Sequence, residues 1–283
     1  MKLTNELPPF KKMTRKALYT LRKRVKIGDT DIVLNHTFTN VLLDQERLAN
    51  YTEFFEYTDF PLTYLYILAQ RAQLALMLQK EFTIPIPGMI HLTNNLELVS
   101  PVSPSDSFNI VVNGLVPTKE FGSLHPSFKV EFFQNDKLVV FCESGYLVKR
   151  KNPNREKKKP RTESKQMEPD LSTSVLTDEW GLPSNMGKQY AKVSGDNNPI
   201  HKSKLFARFA GFKHPIIHGW YSVSRAVKAV DQLVPSIKKV SVQFMYPIYL
   251  PGKATLDVLN NNGEFTYVVH SSGKTFHLSG TIG

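Results

Sequence analysis

Between Lys149 and Met167 the chain reads KRKNPNREKKKPRTESKQM, and apart from Met167 this run holds no apolar residue. Such a segment cannot bury surface, so it reads as a linker or exposed loop. It splits the 283 residues into two parts, each long enough for its own core. The expected division is an N-terminal domain over 1–148, a basic linker over 149–167 and a C-terminal domain over 168–283. With 41% apolar residues and abundant Phe and Tyr, both parts can bury a core.

On either side of the linker the chain repeats one order of elements. In the second half, Asn185–Ser194 reads as a short helix with Gly195 as its left-handed cap. Asn198 and Pro199 form a restart signal, Asn as N-cap and Pro at the first helical position, which puts His201 in the first turn of a new helix. Gly219–Leu233 has apolar residues at helical spacing, and four strand-like runs come after it: Lys239–Tyr246, Lys253–Asn260, Glu264–His270 and Thr275–Thr281. In the first half, Asp44–Phe55 is the short helix, Pro61–Thr63 takes the place of Pro199–His201, and Tyr64–Lys80 is the long apolar helix. Thr93–Val99, Phe108–Asn113, Ser127–Asn135 and Lys137–Lys149 are its strands. A long helix followed by consecutive antiparallel strands, stated twice, is an α+β pattern built on an internal duplication.

Charge and cysteine content narrow the setting. The formal charge of +11 is uneven: nine Lys or Arg fall between Lys149 and Lys165, and a second cluster runs from Lys11 to Lys26. Such clusters attract anions, whether phosphorylated cofactors or acidic carrier proteins, or else only keep a linker solvated. No nucleic-acid recognition motif with the required spacing occurs. Nor does any run of some 18 uncharged apolar residues, so no membrane partner is expected. The N-terminus lacks the continuous apolar stretch of a secretory signal, and Cys142 is the only cysteine. A cytoplasmic protein is expected from this.

Chemistry is concentrated in Tyr190-Ala-Lys-Val-Ser194-Gly195-Asp196-Asn197-Asn198-Pro199-Ile200-His201, followed by Ala207 and then by His218-Gly219. Asp196 closes one helix and His201 opens the next, and a tight turn can bring both side chains over one point. A carboxylate and an imidazole there can hold a water and move protons in both directions. Gly219 starts the long helix, where its N–H sits at the positive end of the dipole and can hold a developing enolate oxygen. Lacking a Cβ, it would let a thioester carbonyl come close.

These residues resemble the signature of the MaoC-like (R)-specific enoyl-CoA hydratase / 3-hydroxyacyl dehydratase family. That signature runs aromatic, three residues, Ser-Gly-Asp-x-Asn-Pro-Ile-His, five residues, Ala, then His-Gly at the head of the hotdog helix. The duplicated layout is similar to the family's double-hotdog members. The resemblance implies a tandem double hotdog, with two long central helices each wrapped by an antiparallel sheet as a pseudo-dimer in one chain. It implies a hydro-lyase of fatty acid metabolism that interconverts trans-2-enoyl and (R)-3-hydroxyacyl thioesters. Asp196 and His201 match its catalytic pair, Gly219 its oxyanion-hole amide and Asn198 the residue that orients the turn. Asn198 and His218 are the candidate substrate-binding residues, with His218 also structural beside Gly219. No metal and no organic cofactor is implied. The partner is an acyl-CoA or acyl-carrier-protein thioester, and a homodimer is compatible. Ser203 stands where many members have Asp. In the first repeat Thr58 and Thr63 stand where Asp196 and His201 would be, so that half is expected to be inactive.

The competing readings are weaker. A bare Asp-x4-His would be a structural hydrogen bond at a helix junction. His214 and His218 form an H-x3-H, but Pro215 breaks the shared helix face and no Cys or Glu completes a zinc set. Ser222 lacks the second glycine of a nucleophile elbow. Phe54–Tyr66 is expected in the core, and Cys142 as a buried strand residue. A hotdog thioesterase would place a carboxylate on the central helix, where only Asp231, near the far end, is available. A non-enzymatic acyl-thioester binder predicts a broken Asp–His pair.

Overall fold

The structure, a computed structural model, describes residues 3–23, 30–118, 122–149, 170–234, 236–272 and 274–283. Beyond Lys149, the whole of the expected basic linker lies outside the described residues.

The chain forms α1 (Phe10–Tyr19), β1 (Ile32–Val41), α2 (Gln45–Phe55), α3 (Leu62–Met77), β2 (Ile90–Leu98), β3 (Phe108–Val116), β4 (Ser127–Gln134) and β5 (Lys137–Leu147). The second half has β6 (Leu176–Leu182), α4 (Met186–Ser194), α5 (Lys204–Phe209), α6 (Gly219–Asp231), β7 (Lys239–Phe244), β8 (Gly252–Asn261), β9 (Glu264–Ser271) and β10 (Thr275–Ile282). The strands follow period-2 burial. On β3, for example, Phe108, Ile110, Val112 and Val116 turn inward, and on β4 Phe128, Val130 and Phe132 do.

One ten-stranded sheet runs β1-β3-β4-β5-β2-β7-β10-β9-β8-β6, antiparallel at every pairing. From one edge inward the order is β1-β3-β4-β5-β2; from the other it is β6-β8-β9-β10-β7. The second half therefore repeats the first strand for strand. The halves meet where β2 pairs with β7, from Thr93 opposite Gln243 to Glu97 opposite Lys239. This is the hotdog-type arrangement, a long helix held against a large antiparallel sheet. Helix α3 is buried nearly all round, as its apolar sequence demands, and packs on β1 to β4. Helix α6 is amphipathic, with Val223, Ala226, Val227 and Val230 inward, and packs on β7 and β9.

Four features depart from the sequence reading. Helix α1 forms directly after Pro8 and Pro9, with Phe10, Met13 and Ala17 buried at helical spacing. The edge strands β1 and β6 add to the strands read from the sequence. His201 sits in a three-residue 3-10 turn, Pro199–His201, rather than in an α-helix. Thr63 lies inside α3, whose N-cap is Pro61, so Pro61–Leu62 stands at the helix start where His218–Gly219 stands in the second half. Both short helices end in a left-handed residue, Glu56 and Gly195. After Glu56 the chain enters α3 almost at once. After Gly195 it first makes the 3-10 turn and α5, and the first half has no such excursion.

Candidate active site

The second-half turn is built from local hydrogen bonds. Gly195 caps α4 at φ +77°. The Ser194 hydroxyl donates to the Tyr190 carbonyl (2.8 Å) and accepts from the Asp196 N–H (3.2 Å). Asp196 Oδ1 accepts from the Asn198 N–H (3.0 Å), and Asn198 Oδ1 accepts from the Ile200 N–H (3.4 Å) as cap of the 3-10 turn. Asn198 thus orients the turn, and its side-chain oxygen is committed there.

The turn and the helix start bring Asp196, His201 and His218 together, with their ligand-type atoms all within 4.8 Å of one another. His201 Nδ1 lies 2.8 Å from the Ile216 carbonyl. A carbonyl only accepts, so Nδ1 carries the proton and Nε2 is left as the basic nitrogen. His218 Nε2 donates in the same way to the Asp196 carbonyl (3.1 Å), and its buried Nδ1 has no hydrogen-bond partner among the described residues. The two rings stack at 3.7 Å.

Burial governs the charges. It lowers the His218 pKa to about 3, helped by the neighbouring His201, and the Asp196 carboxylate only partly opposes this. It also lowers His201, against the pull of Asp196 and the Ile216 carbonyl. Burial pushes Asp196 up, but His218, His201, the Asn198 N–H and the Gln70 amide outweigh it and hold the carboxyl below its ordinary range. At neutral pH the site is one carboxylate beside two neutral imidazoles.

Gly219 is the first residue of α6, so its N–H stands in the unsatisfied first turn with the positive end of the helix. The space a Cβ would need there is filled by the Phe244 ring, 2.6 Å away, which gives this glycine a packing reason besides substrate access. Ser222, in the same first turn, is fully buried and its hydroxyl has no partner among the described residues. The three ligand-type side chains resemble a metal set in kind. Stacked imidazoles, however, point their in-plane lone pairs side by side rather than at one point some 2 Å from each. His214 is not in the group; its ring faces Tyr249 at 6.5 Å.

The first half supplies the other wall. Gln70 of α3 donates from Nε2 to Asp196 Oδ2 at 3.0 Å. Tyr66 stacks on Trp220 of α6 (3.8 Å), Trp220 Nε1 donates to the Thr63 carbonyl (2.9 Å), and the Tyr51 and Ser224 hydroxyls share a 2.6 Å bond. A cleft of about 650 Å³ opens beside the turn, reaching Gly195 and Asn197 on either side of Asp196. Lys11, Arg47, Arg71, Lys188, Lys192 and Lys202 line it, with Asp44 as the only acid among the described residues. Sequence reading missed Gln70, since nothing local marks it, and Gly187, where a Cβ would lie 2.0 Å from the His201 carbonyl oxygen. Cys142 is buried on β5 as expected.

Residues 151–266 match the family model described as "MaoC like domain". The 3-hydroxyacyl-thioester dehydratase X of Mycobacterium tuberculosis is 24% identical over 78% of this chain and 78% of its own length. The peroxisomal enoyl-CoA hydratase 2 of Arabidopsis thaliana is 34% identical over 23% of this chain and 22% of that one. Among solved structures, HtdX of Mycobacterium tuberculosis superposes with a TM-score of 0.71 at 20% identity, covering 88% of this chain and 98% of the other.

Proposed function

From the match of residues 151–266 to the MaoC-like domain model, we propose that the chain is a MaoC-like hydro-lyase interconverting trans-2-enoyl and (R)-3-hydroxyacyl thioesters. The observation that carries the reading is the Asp196 carboxylate and the His201 imidazole, its tautomer fixed by the Ile216 carbonyl, at the N-terminus of α6. In the hydration direction a water held by the pair adds its hydroxyl to C3. Its proton passes through the pair to C2, and the Gly219 N–H takes the charge that builds on the thioester oxygen. In dehydration the same atoms move back. Asp196 and His201 are the catalytic residues. His218 keeps the turn and helix start together through the Asp196 carbonyl, and Asn198 orients the turn.

The repeated strand order favours a tandem double hotdog, in which the first half lines the site without a pair of its own. The cationic cleft fits an anionic carrier, which both CoA and an acyl-carrier protein provide. A thioesterase reading lacks its carboxylate: α3 has none, and α6 has only Asp231, its last residue, paired with Lys228 at 3.6 Å. The test is an ultraviolet assay on the purified protein with crotonyl-CoA and a longer enoyl-CoA. Loss of the enoyl-thioester band, giving the (R)-3-hydroxy product, is the expected result. An unchanged band with both substrates, or release of free CoA without hydration, overturns the reading.

A further inference from the structure

Asp196 has two oxygens, and different halves of the chain hold them. Oδ1 is bound within its own turn by the Asn198 N–H, and Oδ2 by Gln70 Nε2, each at 3.0 Å. A carboxylate only accepts, so chemistry fixes which end of the Gln70 amide faces it.

Gln70 is not a chance surface contact. It lies on α3 in a stripe of polar residues, Thr63, Tyr66, Gln70 and Gln73, on a helix whose other residues are apolar save Tyr64 and Arg71. One turn before it, Tyr66 is stacked on Trp220 beside Gly219; the next residue, Arg71, donates to the Leu7 and Pro8 carbonyls. Both anchors hold α3 in place along and around its axis. The ninth residue of α3 is Gln70, and the ninth of α6 is the buried apolar Val227. The amide therefore belongs to the half that has no Asp–His turn.

We propose that Gln70 is a positioning residue for the hydro-lyase reaction, supplied by the first half to hold Oδ2 of Asp196 toward the shared reaction point. This rests on the hydro-lyase reading of the site. With one lone-pair direction of each oxygen occupied, the carboxylate plane is set and the remaining directions are left for water and substrate. Without Gln70 the carboxylate keeps only its local contact and can swing about it. Asp196 also loses a hydrogen bond made to its charged form. The other groups whose fields reach it are His201 and His218 on the second half, Tyr190 of α4, and the buried phenols Tyr66 of α3 and Tyr146 of β5.

The test uses the full chain with Gln70→Leu and Gln70→Glu. Two quantities are read: the pH profile of kcat/KM on enoyl-CoA, and the titration of the Asp196 carboxyl carbon by NMR, assigned by its absence in Asp196→Asn. For Gln70→Leu, the carboxyl midpoint and the acid limb should both rise by about one unit, as losing one hydrogen bond to a charged group implies. We expect kcat to fall about tenfold with KM within twofold. Gln70→Glu keeps the shape and carries the test should Gln70→Leu not fold. There the midpoint should rise further, with the best rate displaced to acid pH, where the introduced carboxyl is protonated and donates as the amide does. A midpoint and acid limb that stay put in either folded variant overturn the proposal, even if the rate drops. If the wild type is inactive on enoyl thioesters but the midpoint still moves, the tie to Asp196 stands and the hydro-lyase reading alone falls.

Discussion

His201 keeps its Nδ1 proton against a backbone carbonyl and leaves Nε2 as its basic nitrogen, while His218 does the opposite with its own two nitrogens. Two imidazoles in face contact thus hold opposite tautomers, and the carbonyls of Ile216 and Asp196 decide which. A group that shuttles a proton should be irreplaceable for rate and dispensable for folding. Asp196→Asn and His201→Ala are each expected to lower hydratase turnover at least about a hundredfold with an unchanged circular dichroism spectrum. Near wild-type turnover in either would remove that residue from the reaction. The residues of the turn are the part of the site most visible in the sequence. Tyr190, Ser194, Asp196, Asn198 and Ile200 bond in series over two to four positions, so their geometry is written in neighbouring residues.

At the scale of elements, the site is two helices brought to one place. Helix α4 lies on the turn that carries His201, and Gly187 is where they touch. A methyl group there would sit 2.0 Å from the His201 carbonyl oxygen, a backbone atom that cannot swing aside. Gly187→Ala is therefore expected to displace the turn, destabilising the protein by roughly 1–3 kcal/mol as overpacked cores do. Activity should drop more than the stability loss explains; urea unfolding and the ultraviolet assay on the same preparation check both. If activity and stability are unchanged, α4 does not brace the turn. Contacts of this kind explain what the sequence conceals. The period-2 runs in β3 to β5 and β7 to β10 are read easily because each strand carries its own alternation. Helix α1 has its apolar spacing too, but a basic, proline-led sequence masks it. The edge strand β1 alternates weakly, with Val33 largely exposed. Gln70 carries no local mark at all, because its partner is distant in sequence and joins it only when α3 and the α4 turn meet.

For the whole molecule, the two halves share a strand order but not the excursion between short and long helix. Among the described residues, the second half alone brings an Asp and a His together at the start of its long helix. One site per chain is therefore expected: titration with a tight-binding substrate analogue should saturate at one equivalent, and two equivalents would mean the first half binds as well.

Joining the halves also buries titratable rings, and this sets how the protein answers acid. Burial, with His201 adding to it, lowers His218 to about 3, and burial lowers His91 to about 4, where the ring lies between Tyr66 and Tyr146. In the unfolded chain both would titrate near 6.5. As pH falls below that value, the unfolded state takes up two protons that the native state refuses until far lower pH, so stability is lost. Their contribution is whole above about pH 6.5 and drains away toward pH 4 and 3. Between pH 7.5 and pH 5 the two rings together cost roughly 4 kcal/mol, a large fraction of an ordinary domain's stability. His201 and the depressed carboxyls of Asp196 and Asp257 act in the same direction, the carboxyls at lower pH. The urea midpoint should therefore fall steeply between pH 7.5 and pH 5. In His218→Gln, whose Nε2 amide can reach the Asp196 carbonyl but cannot titrate, the share of one ring, about 2 kcal/mol, should disappear from that fall. An equal fall in the variant would mean that His218 is not held neutral in the native protein, and the charge pattern drawn for the site would have to change with it.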